Sequence, residues 1–206
     1  MKKLFLCSSF KDVAMLLMSF MGDVQGKRIT FIPTASNVEK VVFYVEAGRK
    51  ALQNLGFLID ELDIATASPT EIAEKLEQNE AIYISGGNTF FLMQEMQKGG
   101  TGKRIAEQVE KGKLYIGESA GAMIAAPRTD YAKAMDNPKK APELNGFEGL
   151  HLVNFYPLPH YNSFPFKKAA DKIMEAYGKS ITLHPMTNQE VLIVRGNDVM
   201  TERKSV

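Results

Sequence analysis

Leu114-Tyr115-Ile116-Gly117-Glu118-Ser119-Ala120-Gly121-Ala122 is the stretch that decides how this chain is read. Residues 114–117 form a short apolar strand, and the small-residue run 120–126 reads as a helix. Ser119 stands between them at the centre of Gly-x-Ser-x-Gly. A strand that turns sharply into a helix holds such a serine in a strained backbone geometry, with glycines keeping side chains clear of it. The helix start behind the serine turns unpaired N–H groups and the positive end of a dipole toward a developing oxyanion. An N-cap serine packed among small residues would give a similar pattern, but the strand–turn–helix context favours a nucleophile.

Working outward, strand-like and helix-like runs alternate along the chain. Strands are expected at 3–9, 28–34, 57–64 and 81–85, with helices at 12–21, 38–55 and 101–111, one from Ser68-Pro69, and one from Phe90. Gly56 is placed as a C-terminal helix stop, and Ser68, Pro69 and Glu71 as an N-terminal cap. Beyond the serine, residues 127–148 are polar, carry three prolines and show no period; so long a loop is often functional. Strands are expected at 150–155, 180–184 and Glu190–Arg195, and a helix at 163–177. Repeated β–α units predict an α/β fold in one domain, a mainly parallel twisted sheet with helices on both faces.

Composition narrows the function. The 206 residues are 45% hydrophobic and 24% charged, and 25 basic against 24 acidic side chains leave a net charge of +1. That balance excludes a strong nucleic-acid footprint. One cysteine, Cys7, excludes a disulfide framework, and three histidines at unsuited spacings leave no expected metal site. No window approaches 18 apolar residues, and the apolar run after Lys3 stops at Cys7, so neither a membrane span nor a signal peptide is expected. The expected setting is the cytoplasm, as a monomer or homodimer with no nucleic-acid or membrane partner.

A serine nucleophile needs a base, and His160, bracketed by Pro157 and Pro159 just past a strand, is the best candidate. His151 opens a strand at the opposite edge, and His184 precedes Pro185 as a second candidate. Asp130, Asp136 and Glu190 are the candidate carboxylates to orient the imidazole. Gly86-Gly87-Asn88-Thr89 also lies between a strand and a helix, where backbone N–H groups can approach a ligand. It is not a dinucleotide fingerprint, and Gly99-Gly100-Thr101-Gly102-Lys103-Arg104 is not a P-loop.

Gly86-Gly87-Asn88-Thr89-Phe90, Gly117-Glu118-Ser119-Ala120-Gly121-Ala122 and Gly146-Phe147 with Pro159-His160 occur in an order that resembles the aspartyl dipeptidase (dipeptidase E) family of serine peptidases. That family also contains cyanophycinase-like enzymes. The resemblance spans roughly residues 3–196 and implies a fold similar to the class I glutamine amidotransferase domain. It implies a triad of Ser119, His160 and Glu190, oxyanion N–H groups from Gly87 and Ala120, and an acidic loop position at Asp136 near the site. Asn88, Glu118 and Asp136 are the candidate substrate contacts. Glu118, an acid directly before the nucleophile, departs from the pattern. A cation for an N-terminal aspartate would come from Arg128, Lys133, Lys139 or Lys140. The expected activity is a serine exopeptidase acting on short peptides with a free N-terminus, needing no metal or organic cofactor. Two alternatives remain: an α/β-hydrolase-type esterase using Ser119, Asp171 and His184, and a catalytically idle peptide- or metabolite-binding protein of the same fold.

Overall fold

The computed structural model describes residues 1–204. Its main sheet has seven strands: β1 (Lys3–Cys7), β2 (Arg28–Ile32), β3 (Leu58–Glu61), β4 (Ala81–Ile84), β5 (Leu114–Glu118), β8 (Glu190–Arg195) and β9 (Asp198–Arg203). They lie in the order β3-β2-β4-β5-β1-β8-β9. The first five run parallel, and β8 and β9 complete the sheet antiparallel. Strands β6 (Tyr156–Leu158) and β7 (Leu183–Pro185) form a separate parallel pair. The helices are α1 (Phe10–Val13), α2 (Leu16–Met21), α3 (Phe43–Asn54), α4 (Pro69–Gln78), α5 (Thr89–Lys98), α6 (Thr101–Glu110), α7 (Ala120–Met123) and α8 (Lys167–Tyr177).

The central strands β1, β4 and β5 are buried and apolar at nearly every position, Lys3 and Glu118 at their ends excepted, because both faces are covered. Successive side chains of a strand point to opposite faces, so one strand feeds two cores. Leu4, Leu6, Ile82, Ile84, Tyr115, Leu192 and Val194 enter one core with the apolar stripes of α4, α5 and α6. Phe5, Cys7, Tyr83, Ile116, Val191 and Ile193 enter the other with α1, α2 and α3. A third cluster, with Phe90, Tyr131, Leu158 and Ile173, packs residues 127–148 and α8 beside the sheet.

The structure corrects several boundaries. Residues 150–155 are not a strand. The N–H groups of residues 150–153 donate to the carbonyls of Ile124, Ala125 and Ala126, satisfying the chain leaving α7, and Leu150, Leu152, Val153 and Phe155 are apolar because that crossing is buried. The helix expected at 12–21 breaks into α1 and α2, and α3 starts at Phe43, leaving residues 37–42 irregular. The strand expected at 180–184 is β7, outside the main sheet. Strand β9 was not expected at all. Its side chains are mostly exposed on an edge, and Gly196, at φ +62°, helps turn it back from β8. Ser68 caps α4 by accepting from the Glu71 N–H at 3.1 Å.

Candidate active site

The parallel strands end on one edge, where the chain leaves β4, β5 and β1 side by side. Ser119 follows β5 with φ +49° and ψ −105°, a strained conformation for a residue with a side chain. Its N–H donates to the Cys7 carbonyl at 2.9 Å, which extends the β5–β1 ladder one residue into the turn. Gly121 lets α7 press on β4, since a Cβ there would collide with the Ile84 carbonyl. Gly87 sits after β4 at φ +137°, hard against the Ala35 carbonyl, a place only glycine fits.

His160 follows β6. Its N–H donates to Ser8 Oγ at 2.9 Å, and that hydroxyl donates to the Met186 carbonyl at 3.0 Å. The ring stacks on Phe166 with centroids 4.7 Å apart. His160 Nε2 lies 2.9 Å from Ser119 Oγ, and Nδ1 lies 2.8 Å from Asn188 Oδ1. An amide oxygen only accepts, so Nδ1 carries the proton and Nε2 is free to accept from the serine hydroxyl. Burial lowers the His160 pKa, and the Asn188 bond opposes that shift. That shift favours the neutral imidazole, the form that can accept a proton from a hydroxyl.

Glu190 is not brought to His160. It opens β8, and its carboxylate accepts from the Thr187 N–H at 2.8 Å, bracing the turn that presents Asn188. Asp130 pairs with Arg128 at 3.0 Å. His184 stacks on Phe155 with centroids 4.2 Å apart, and Asp171 is exposed on α8; neither lines the cleft. His151 is exposed, with Nε2 3.2 Å from Glu148.

Glu118 is buried beneath the elbow. It accepts from the Phe10 N–H at 2.8 Å, from the Tyr83 hydroxyl, and from the Gly86 backbone. Burial pushes its pKa up, and those three donors pull it back. It joins β5, β4 and the start of α1. Asn88 is also engaged: its Oδ1 accepts from the Phe91 N–H at 3.0 Å and caps α5. Asp136 Oδ2 accepts from the Thr89 N–H at 2.9 Å and the Thr89 hydroxyl at 2.6 Å. Burial raises the Asp136 pKa to about 6, against the opposing Thr89 bonds. Gly87 and Ala120 carry N–H groups for which no acceptor exists among the described residues.

These groups surround a cleft of about 600 Å³, room for a ligand of a few residues. Sequence reasoning missed two of its walls. Asn188 lies two residues before Glu190, and only a search not restricted to carboxylates would have found it. Tyr44, on the first turn of α3, packs against Gly86 and has an enclosed hydroxyl without a partner among the described residues. Among the described residues, no group of three or more His, Cys, Asp or Glu could hold a metal ion, and no helix is long and apolar enough to cross a membrane.

A serine at a strand-to-helix elbow, with an imidazole at its hydroxyl, is the arrangement of a serine hydrolase, and the comparisons with known proteins place the chain among the serine-type peptidases. The chain belongs to peptidase family S51, whose family model matches residues 4–201. It is 54% identical over 202 residues to the uncharacterized peptidase Lin0382 of Listeria innocua, covering 98% of this chain and 97% of that one. It is 35% identical over 146 residues to Peptidase E of Salmonella arizonae, covering 69% of this chain and 59% of that one. A crystal structure of a candidate Peptidase E protein from Listeria monocytogenes EGD-e superposes with a TM-score of 0.96 at 53% identity, covering 100% of both chains. A peptidase from an acI-B1 Actinobacterium shares the fold, with a TM-score of 0.74 at 23% identity over 99% of this chain and 88% of that one.

Proposed function

We propose that this peptidase is a serine exopeptidase that releases residues from short peptides with a free N-terminus. The observation that carries the reading is the 2.9 Å contact between His160 Nε2 and Ser119 Oγ on a strained elbow. Ser119 attacks the scissile carbonyl while His160 takes its proton. The N–H groups of Gly87 and Ala120 hold the oxyanion. His160 then returns the proton to the leaving amine, and water releases the acyl group from Ser119 by the reverse sequence. Asn188 keeps Nδ1 protonated and the ring in place. It supplies a dipole where a carboxylate would supply a charge, so the imidazolium is less stabilised than in an acid-backed triad.

Asp136 supports the exopeptidase reading. Its carboxylate lines the cleft beside Gly87 and Asn88 and is suited to the ammonium of a substrate's first residue. The Peptidase E relatives support the peptidase part of this reading. The test is a set of di- and tripeptides, free and N-acetylated, incubated with wild-type and Ser119→Ala protein. Cleavage of the free peptides by wild type alone is expected. Equal turnover of acetylated peptides, or unchanged turnover by Ser119→Ala, would overturn the reading.

A further inference from the structure

The sheet order β4-β5-β1 gives the cleft a direction. Ser119 follows β5 in the centre. Asp136 is held by Thr89 on the β4 side. His160 is held by Ser8 on the β1 side, and Lys11 follows β1 there too. A leaving amine must depart on the His160 side, so the substrate's first residue lies over β4 and its second over β1.

The charges along this path are already placed. Asp12, Glu39, Glu118 and Asp136 line the cleft against two cations, Lys11 and Lys140. Lys140 is bound to Glu39 at 2.8 Å. Arg128 is paired with Asp130 and Glu148, and Lys133 stands 4.3 Å over the Phe147 ring. Lys139 is outside the lining, and no arginine is in it among the described residues. Burial and the fields of Glu39, Glu118 and Asp136 all push up the Tyr44 hydroxyl pKa, in line with a negative wall on the β4 side. Lys11, exposed and without a carboxylate partner among the described residues, is the free cation, and it belongs to the β1 end.

The lip is apolar. Val41 is 60%, Phe43 67% and Phe164 93% exposed, yet all three line the cleft. Val41 and Phe43 belong with the first-residue end, because the Glu39–Lys140 pair ties their segment to the Asp136 loop. Phe164 neighbours Phe166 in sequence and so belongs with the His160 end. Apolar surface left bare around a reaction centre is surface for a ligand to cover.

We infer that the cleft takes short peptides with apolar side chains, a free amine at the Asp136 end and a free carboxylate at the Lys11 end, and rejects an acidic first residue. The inference rests on the peptidase reading above. An acidic side chain over β4 would be desolvated in a field of its own sign, with no free cation to pair it.

The experiment measures kcat/KM for Leu-Leu and Asp-Leu with wild-type, Ser119→Ala, Phe43→Ser, Lys11→Met and Glu39→Gln proteins. Wild type is expected to prefer Leu-Leu by at least about tenfold. Phe43→Ser should lower Leu-Leu turnover. Lys11→Met should raise KM for Leu-Leu but not for its C-terminal amide. Glu39→Gln, which releases Lys140, should raise Asp-Leu turnover relative to Leu-Leu. Asp-Leu cleaved as well as Leu-Leu, with Ser119→Ala silent, overturns the inference and leaves the peptidase standing. A Phe43→Ser protein with altered oligomeric state and unchanged kcat/KM gives the lip to a second copy, and also overturns it. Hydrolysis of neither peptide by wild type, or equal hydrolysis by Ser119→Ala, overturns the peptidase reading and the inference with it.

Discussion

Asn188 Oδ1 lies 2.8 Å from His160 Nδ1, on the opposite side of the ring from Ser119 Oγ. The His160 ring is therefore held by an amide, two residues ahead of a carboxylate that is engaged with its own turn. Orientation and charge stabilisation, which a carboxylate supplies together, come apart here and can be measured separately.

Asn188→Ala is expected to lower kcat by roughly 10²-fold, because the imidazole loses its tautomer and its rotational restraint. Asn188→Asp should restore much of that and move the acid limb of the pH profile upward, since an anion beside the ring favours the imidazolium. Glu190→Gln should change kcat by less than about threefold. A larger loss in Glu190→Gln than in Asn188→Ala would return the third position to the carboxylate.

The pH profile of kcat/KM should have a steep acid limb. As the proposed base, His160 would act when neutral, and burial holds its pKa below the free-imidazole value, so activity should rise with pH through a point below about 6.5. As the proposed amine site, Asp136 would act only when ionised, and its pKa, raised to about 6, adds a second ionisation in the same direction. Wild type should lose activity in acid with a limiting slope above one. In Asp136→Asn the slope should fall to one, with a raised KM. An unchanged slope in that variant would separate Asp136 from amine binding.

Ser119→Ala should reduce hydrolysis by a factor of roughly 10³ or more, with an unchanged far-UV spectrum. Thermal unfolding should show little change in stability, because alanine keeps the Cβ and the backbone conformation and only the hydroxyl is lost. A parallel fall in Tm and activity would mean that the serine supports the fold.

Glu118→Ala should destabilise the protein by about 2–5 kcal/mol, since it strands the Phe10 N–H and the Tyr83 hydroxyl in a buried site. Chemical denaturation would measure this. Glu118→Gln keeps one acceptor oxygen and should cost less. A stability loss under about 1 kcal/mol for Glu118→Ala would mean that these donors find other partners.

Much of this was legible because the central strands report their surroundings. Phe5 and Leu6, or Tyr83 and Ile84, are apolar on both faces only when helices cover both. Gly117 and Gly121 mark the elbow on either side of Ser119 through close packing that no larger residue permits. The errors arose where burial and secondary structure diverge. Leu150, Leu152 and Val153 are apolar without being a strand, because the loop beneath α7 is buried. Strand β9 is polar because it lies on an edge. Asn188 escaped notice because the chemistry of a stabilised imidazolium directs attention to acids.

The Ser8 hydroxyl has a mechanical consequence. Ser119 follows a strand of the seven-stranded sheet, and His160 follows a strand of the two-stranded one. Ser8 Oγ takes the His160 N–H and gives its own proton to the Met186 carbonyl, so one oxygen pins the smaller sheet to the end of β1 at two points. The 2.9 Å gap between His160 Nε2 and Ser119 Oγ is thus gauged by a third hydroxyl, at the end of β1. Any change that lets the two sheets slide by an ångström would idle the enzyme while every group of its reaction centre remained intact.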